Sequence, residues 1–172
     1  GSFYKPEMVF IDTLFLNTLE DRHLRDGMAE VIKYGCIKDK GFFDRLSGYK
    51  DLQQCINNID ELVYTCCSIK KVVVEADELD RDERIITKRS EEMGLTEGGT
   101  AKALIEILKK FGLPYEIPIA NKKELMNAMR LDKKFSGDNI SLVLLNKLGA
   151  AFIMKVKSEE LESFFNTTGD TR

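Results

Sequence analysis

The sequence predicts a mostly helical domain carrying one short β-hairpin, and three observations lead there. Apolar residues recur at helical spacing over long stretches, most clearly at Leu52, Cys55, Ile56, Ile59, Leu62, Val63, Cys66, Ile69 and Val73, and again in TAKALIEILKKF from Thr100 to Phe111. Trp is absent, Gly and Pro are few, and 32% of residues are charged, a composition that suits helices with solvated outer faces. Near the C-terminal end, Leu142-Val143-Leu144-Leu145 and the run from Ala151 to Val156 flank an Asn-Lys-Leu-Gly turn and read as paired strands. With 172 residues, 43% of them hydrophobic, the chain is long enough for one domain with a buried core.

Each element follows in order. Met8-Val9-Phe10-Ile11 is a strand-like run, and Asp12-Thr13 suits the turn after it. The opening GSFYKPEMVFID does not read as a natural start, so the chain is expected to be a piece of a longer protein. Thr18 suits the N-cap of a helix opening at Leu19-Glu20-Asp21, whose apolar face is Leu24, Met28, Val31, Ile32 and Cys36. Gly35 and Gly41 mark the end region of that helix and the next turn. Phe42, Phe43 and Leu46 then make a short helix stopped by Ser47-Gly48.

The periodic segment from Leu52 to about Glu75 reads as one long amphipathic helix running into the charged stretch ADELDRDER, from Ala76 to Arg84. Ile86 to Met93 is a short helix stopped by Gly94, and the helix from Thr100 is closed by Gly112 and Pro114. Lys122 to Met129 gives another helix. Ser158 to Phe165 gives the last, with Ser158 as its cap.

Charge and cysteine usage bound the function. A net charge of -3, with Lys and Arg spread along the chain, gives no footprint for a nucleic-acid partner. No apolar run has the length of a membrane span, so no membrane partner is expected. The four cysteines, Cys36, Cys55, Cys66 and Cys67, form no CxxC pair and no usual zinc spacing. They read as reduced thiols of a cytosolic protein.

One stretch asks for chemistry. In RDGMAEVIKYG, from Arg25 to Gly35, Glu30 and Lys33 stand three apart, about 60° around a helix axis. The ordinary alternative is a surface pair of little consequence. Against it stand the small apolar neighbours and Gly27, an odd choice inside a helix unless something approaches closely. A partly buried carboxylate needs a cation or a metal to stay charged. Lys133-Lys134 in LDKKFSGDNI is a second candidate, two point charges suited to a phosphate or carboxylate, with a solvated loop as its alternative. His23, amid Arg22, Arg25 and Asp26, reads as solvent-facing. Gly-rich phosphate loops, GxSxG and HExxH are absent. Residues alone stop at a helical domain with a candidate anion or metal site.

Longer stretches go further. FYKPEMVFIDTLFLNTLEDRHLRDGMAEVIKYG, SIKKVVVEADELDRDER, KKFGLP and LDKKFSGDNISLVLLNKLG resemble, in order and spacing, segments of the C-terminal domain of the 3-dehydroquinate synthase family. The resemblance spans nearly the whole chain. It implies a helical C-terminal metal- and substrate-binding domain, residues 1 to 172, without its N-terminal NAD-binding domain. The implied activity is that of a phosphate-eliminating carbon–oxygen lyase of the shikimate pathway. Such an enzyme uses NAD and a divalent metal, zinc or alternatively cobalt, to convert 3-deoxy-D-arabino-heptulosonate 7-phosphate into 3-dehydroquinate and phosphate. A small-molecule sugar phosphate is then the partner, and the intact enzyme a cytoplasmic homodimer.

Carried over by position, Glu30 matches the metal-binding glutamate, and Lys33 and Lys70 match lysines that bind substrate and serve catalysis. Arg84 and one or both of Lys133 and Lys134 match further substrate-binding residues. Phe15, Leu16, Asn17 and Thr18 match a turn that touches NAD. One departure is large. Arg84-Ile85 runs straight into Ile86-Thr87-Lys88, whereas the family carries between them a segment of several dozen residues that holds both histidine metal ligands. Either that segment is deleted here or it belongs to the protein and went unseen. A zinc site needs three protein ligands, and this chain offers one of them, so the isolated domain is expected to be inactive. Two other readings stand beside it: another sugar-phosphate cyclase, such as a 2-deoxy-scyllo-inosose synthase, and a non-catalytic helical interaction module.

Overall fold

In the computed structural model the described residues are 7–74, 83–115, 139–157 and 160, with the side chains of 73–74, 83–86 and 139–140 left aside. They form a helical body and one β-hairpin, the predicted class. A 3-10 helix, Thr13–Thr18, precedes α1 (Asp21–Lys38), α2 (Lys40–Gly48), α3 (Leu52–Ile56) and α4 (Ile59–Val74). Then come α5 (Glu83–Glu92), α6 (Thr100–Lys110), β1 (Asn139–Lys147) and β2 (Ala150–Lys157). No described helix is long and apolar enough to cross a membrane.

The core is built from the apolar stripes. Met28, Ile32 and Cys36 of α1 meet Phe42, Phe43 and Leu46 of α2, and Leu62 and Ile69 of α4. Leu104, Ile107 and Leu108 of α6 close the cluster with Phe111, Leu113 and Leu145. The α1–α2 turn is sharp because Asp39 serves both helices: its carboxylate accepts the Phe42 N–H at 2.9 Å, capping α2 as α1 ends.

β1 and β2 pair antiparallel, with Leu142 opposite Met154 and Leu144 opposite Phe152. A register shift at Asn146 precedes the two-residue connection Leu148-Gly149. Gly149 has φ 80°, and its N–H donates to the Cys36 carbonyl at 2.7 Å, seating the hairpin tip on the end of α1. A side chain there would meet the Lys40 backbone N at 2.4 Å, so the position accepts glycine alone.

Several expectations change. Met8 to Ile11 is not a strand: these residues enter no regular element, and Met8, Val9, Phe10 and Ile11 are exposed. A strand needs a ladder partner, and the hairpin is the one sheet among the described residues. Thr18 does not cap a helix opening at Leu19. It ends the 3-10 helix, and its hydroxyl donates back to the Phe15 carbonyl at 2.7 Å, leaving Glu20 to precede α1 without a side-chain cap.

Gly35 does not end α1, which continues to Lys38. Gly41 lies within the first turn of α2. The long helix from Leu52 breaks at Asn57-Asn58 into α3 and α4. There Asn58 donates its side-chain amide to the Gln54 carbonyl at 2.8 Å, an acceptor the helix ladder would otherwise use. The helices stopped by Gly48, Gly94 and Gly112 end close to those residues, and the hairpin lies where its runs predict. The helices expected over 122–129 and 158–165 fall outside the described residues, Glu160 excepted.

Candidate functional site

Helix α1 presents the acid and the base. Lys33 Nζ lies 3.2 Å from Glu30 Oε2, one turn apart on one face. Their surroundings differ: the Lys33 side chain is 16% exposed and that of Glu30 56%. The Tyr34 ring centroid is 5.8 Å from the Lys33 ammonium. Glu30 is thus an exposed carboxylate rather than one sunk in an apolar pocket. Gly27 does not admit a close neighbour either, since a Cβ there would meet nothing within 4 Å. The close approach on this helix is at Gly35, where a Cβ would be 3.0 Å from Phe43 main-chain atoms.

Helix α4 packs against α1 and supplies the other side. Burial, then the neighbouring Cys67, then the charge of Glu30 push the Cys66 thiol up to about 11. That places Cys66 within electrostatic reach of Glu30, a neighbour the sequence did not single out. Its one available signal was its place four residues before Lys70, one turn away on the same helix face. Lys70 is exposed on α4. The 3-10 helix holding Phe15, Leu16, Asn17 and Thr18 also touches α4, and Thr13 Oγ1 donates to Asp60 Oδ1. Phe15 is 71% exposed, and Asn17 and Thr18 are exposed beside it.

The structure therefore brings Glu30 and Lys33 into contact and sets Lys70 on the helix packed against theirs. Arg84 lies in the first turn of α5, its side chain outside the described residues, and Lys133 and Lys134 lie outside them altogether. Among the described residues, concavities are found elsewhere. An open groove between α5 and α6, about 600 Å³, is lined by Lys88, Glu91, Lys102, Ile105 and Lys109 among others. A smaller one of about 220 Å³ lies by Lys40, Gly98, Gly99 and Lys147. Neither is lined by Glu30, Lys33 or Lys70.

A divalent metal asks for three or more donors around one point. Among the described residues no three His, Cys, Asp or Glu side chains are so grouped. The chain's single histidine, His23, is exposed in the first turn of α1, two turns before Glu30. The residues described do not fit a zinc site.

Residues 27–87 match the family model described as 3-dehydroquinate synthase C-terminal. The chain is 41% identical to the 3-dehydroquinate synthase of Clostridium acetobutylicum over 193 residues, which cover 93% of this chain and 54% of that protein. It is 39% identical to that of Clostridium botulinum, covering 95% of this chain and 55% of the relative. With the Enterococcus faecalis enzyme the identity is 32%, covering 98% and 56%. The chain thus spans about half the length of the curated relatives it matches. In the first alignment 193 positions take in 93% of 172 residues, about 160, so about 33 positions have no residue here.

Proposed function

This chain is a relative of the 3-dehydroquinate synthases through their C-terminal part, and from that premise we propose that it is the substrate-anchoring part of such an enzyme, catalytically incomplete by itself. In the whole, homodimeric protein the reaction is the NAD- and metal-dependent conversion of 3-deoxy-D-arabino-heptulosonate 7-phosphate to 3-dehydroquinate and phosphate.

The observation that carries the reading is the meeting of three elements. Helix α4 touches both α1, with Glu30 and Lys33, and the 3-10 helix with Phe15 to Thr18. Residues expected to face substrate and residues expected to face NAD therefore belong to adjoining elements. Lys33 and Lys70 supply ammonium charges from those elements, and charge-assisted hydrogen bonds from such groups hold phosphate and carboxylate. Arg84, Lys133 and Lys134 belong to the same proposed set. NAD, when bound, supplies a reversible hydride acceptor, and Phe15, Leu16, Asn17 and Thr18 would form one edge of its seat. The donor set described above does not fit a metal, so what this chain contributes is charge and shape.

Incompleteness is supported by the share of the relatives that the chain covers and by the surplus of about 33 aligned positions. The reading places the absent segment between Ile85 and Ile86, where it would carry the histidine ligands. The purified chain, given the sugar phosphate, NAD and zinc, should release no phosphate above the uncatalysed background. A full-length relative in the same assay should turn over. An intact mass near 19.6 kDa would fit a true deletion. Phosphate release by the chain itself would overturn the proposal.

A further inference from the structure

The smaller hollow, about 220 Å³, is walled by three separate parts of the chain: Lys40 at the start of α2, Glu97 to Thr100 leading into α6, and Lys147 with Leu148 at the hairpin tip. Two backbone contacts fix these walls. The Glu97 N–H donates to the Asn146 carbonyl at 2.8 Å, and the Gly149 N–H to the Cys36 carbonyl at 2.7 Å. Thr100 is 4% exposed, and its hydroxyl enters no hydrogen bond among the described residues. No described side-chain oxygen is both sealed from solvent and without a partner. The Thr100 Oγ1 therefore opens into the hollow that the residue lines, and a partner for this largely buried hydroxyl must come from there.

Further donors border the same space. The Gly98 N–H has no acceptor among the described residues, and exposed Lys147 enters no ion pair among them. The Lys40 ammonium lies 2.6 Å from Asp44 Oδ2 in an exposed pair, a weak hold that a ligand can share. Negative charge is present too. Glu97 lines the hollow, and Glu91 already holds the Gly99 and Ala101 N–H groups, so the end of α6 is not itself the attraction. Two lysines against one glutamate leave the lining positive. We propose that this hollow binds the phosphate group of a small molecule, at a site separate from Glu30, Lys33 and Lys70 and independent of their role. Its donors come from three directions, which suits a tetrahedral oxyanion better than a planar carboxylate. The Thr100 hydroxyl and the Gly98 N–H supply hydrogen bonds, and the two lysines supply charge.

The test titrates the full chain with inorganic phosphate, and with acetate at equal ionic strength as the planar comparison, followed by amide NMR. Saturable shifts are expected at Gly98, Gly99, Thr100 and Lys147, with phosphate the tighter ligand. Thr100→Val should weaken phosphate binding by about threefold to tenfold, and Thr100→Ser, which keeps the hydroxyl, should restore it. Lys147→Gln should weaken it by about twofold to fivefold. Lys155→Gln, the same change of charge on β2 away from the hollow, should leave it unaltered. Circular dichroism checks each fold, and if Thr100→Val does not fold, the two lysine variants decide the matter. Shifts that do not saturate, equal affinity for acetate, or equal losses in Lys147→Gln and Lys155→Gln would overturn the proposal. Saturable shifts confined to α1 and α4 would place the anion at Lys33 and Lys70, which ends this inference and leaves the proposed function standing.

Discussion

A Cβ on Gly35 would stand 3.0 Å from both the backbone N and the Cα of Phe43, so α1 and α2 meet main chain against main chain. The obstacle is backbone, which cannot swing aside as a side-chain tip would. Gly35→Ala should therefore be destabilising. Overpacking costs about 1–3 kcal/mol, which outweighs the roughly 1 kcal/mol that Ala gains over Gly inside a helix. Gly27→Ala, on the same helix with nothing within 4 Å of its Cβ, gains that propensity without the clash and should stabilise by about 0.5–1 kcal/mol. Urea midpoints of the two variants should move in opposite directions. If Gly35→Ala matches or exceeds the parent, the close packing of α1 on α2 is not a constraint.

A buried hydroxyl chain joins α5 to the hairpin, and it is expected to be costly to interrupt. Thr96 Oγ1 donates to the Leu145 carbonyl at 2.5 Å and lies 2.6 Å from Ser90 Oγ, which is itself 3.0 Å from the Thr87 carbonyl. Two hydroxyl hydrogens serve these three contacts, and Thr87, Ser90 and Thr96 are all buried. Thr96→Val keeps the shape and leaves neighbouring polar atoms short of a partner, a loss of about 1–3 kcal/mol. Ser90→Ala should add less than its own cost to the Thr96→Val background, because the two groups share a contact. Additive losses in a double-mutant cycle would show that the chain does not act as a unit.

Helix α6 begins at Gly99, which has no side chain to cap it, and Glu91 of α5 does the capping from outside. Its carboxylate accepts the Gly99 N–H at 2.7 Å and the Ala101 N–H at 2.8 Å. Two otherwise unpaired N–H groups are satisfied, and a negative charge sits at the positive end of the helix. Glu91→Ala should cost about 1–2 kcal/mol. Glu91→Gln, which keeps one carbonyl oxygen, should cost less. Raising the salt concentration should narrow the gap between parent and Glu91→Gln, since part of that gap is screened charge. A salt-independent gap would assign the effect to hydrogen bonding alone.

What the sequence made legible was local. The stops at Gly48, Gly94 and Gly112, the face of α6 and the two strands of the hairpin all announce themselves within a dozen residues. So does the Glu30–Lys33 pair, because helical spacing alone brings those groups together. The break at Asn57-Asn58 stayed hidden because Asn57 keeps helical backbone angles, so the apolar rhythm passes almost undisturbed through the turn. The run Met8 to Ile11 has the composition of a strand, and composition does not say whether a neighbour exists to pair with it. Cys66 beside Glu30 depends on how α4 lies against α1, which no spacing within either helix encodes.

The cysteines should differ in reactivity by their surroundings. Cys67 is exposed, whereas Cys36 and Cys55 are buried and Cys66 is half-buried. Burial first, then Asp51, against the opposing charge of Lys110, pushes the Cys55 thiol up to about 11, and Cys66 is raised to the same region. Thiolate is the reacting form, so iodoacetamide at pH 8.5 should label Cys67 well before the other three, as peptide mass mapping can follow. The same shifts carry a stability consequence with a definite sign. In the unfolded chain these thiols ionise near their ordinary value of 9.0, while the folded chain holds its protons to about 11. The folded state therefore binds more protons across that window, and stability should fall as pH rises from about 9 to about 11. Burial also raises Tyr49, with Glu61 adding to it, and a phenol held neutral in the folded state acts in the same direction. Urea midpoints at pH 7.5 and pH 10.5 should show the decline, and Cys55→Ala with Cys66→Ala should flatten it. A decline of unchanged steepness in that double variant would trace the alkaline loss to groups other than the two thiols.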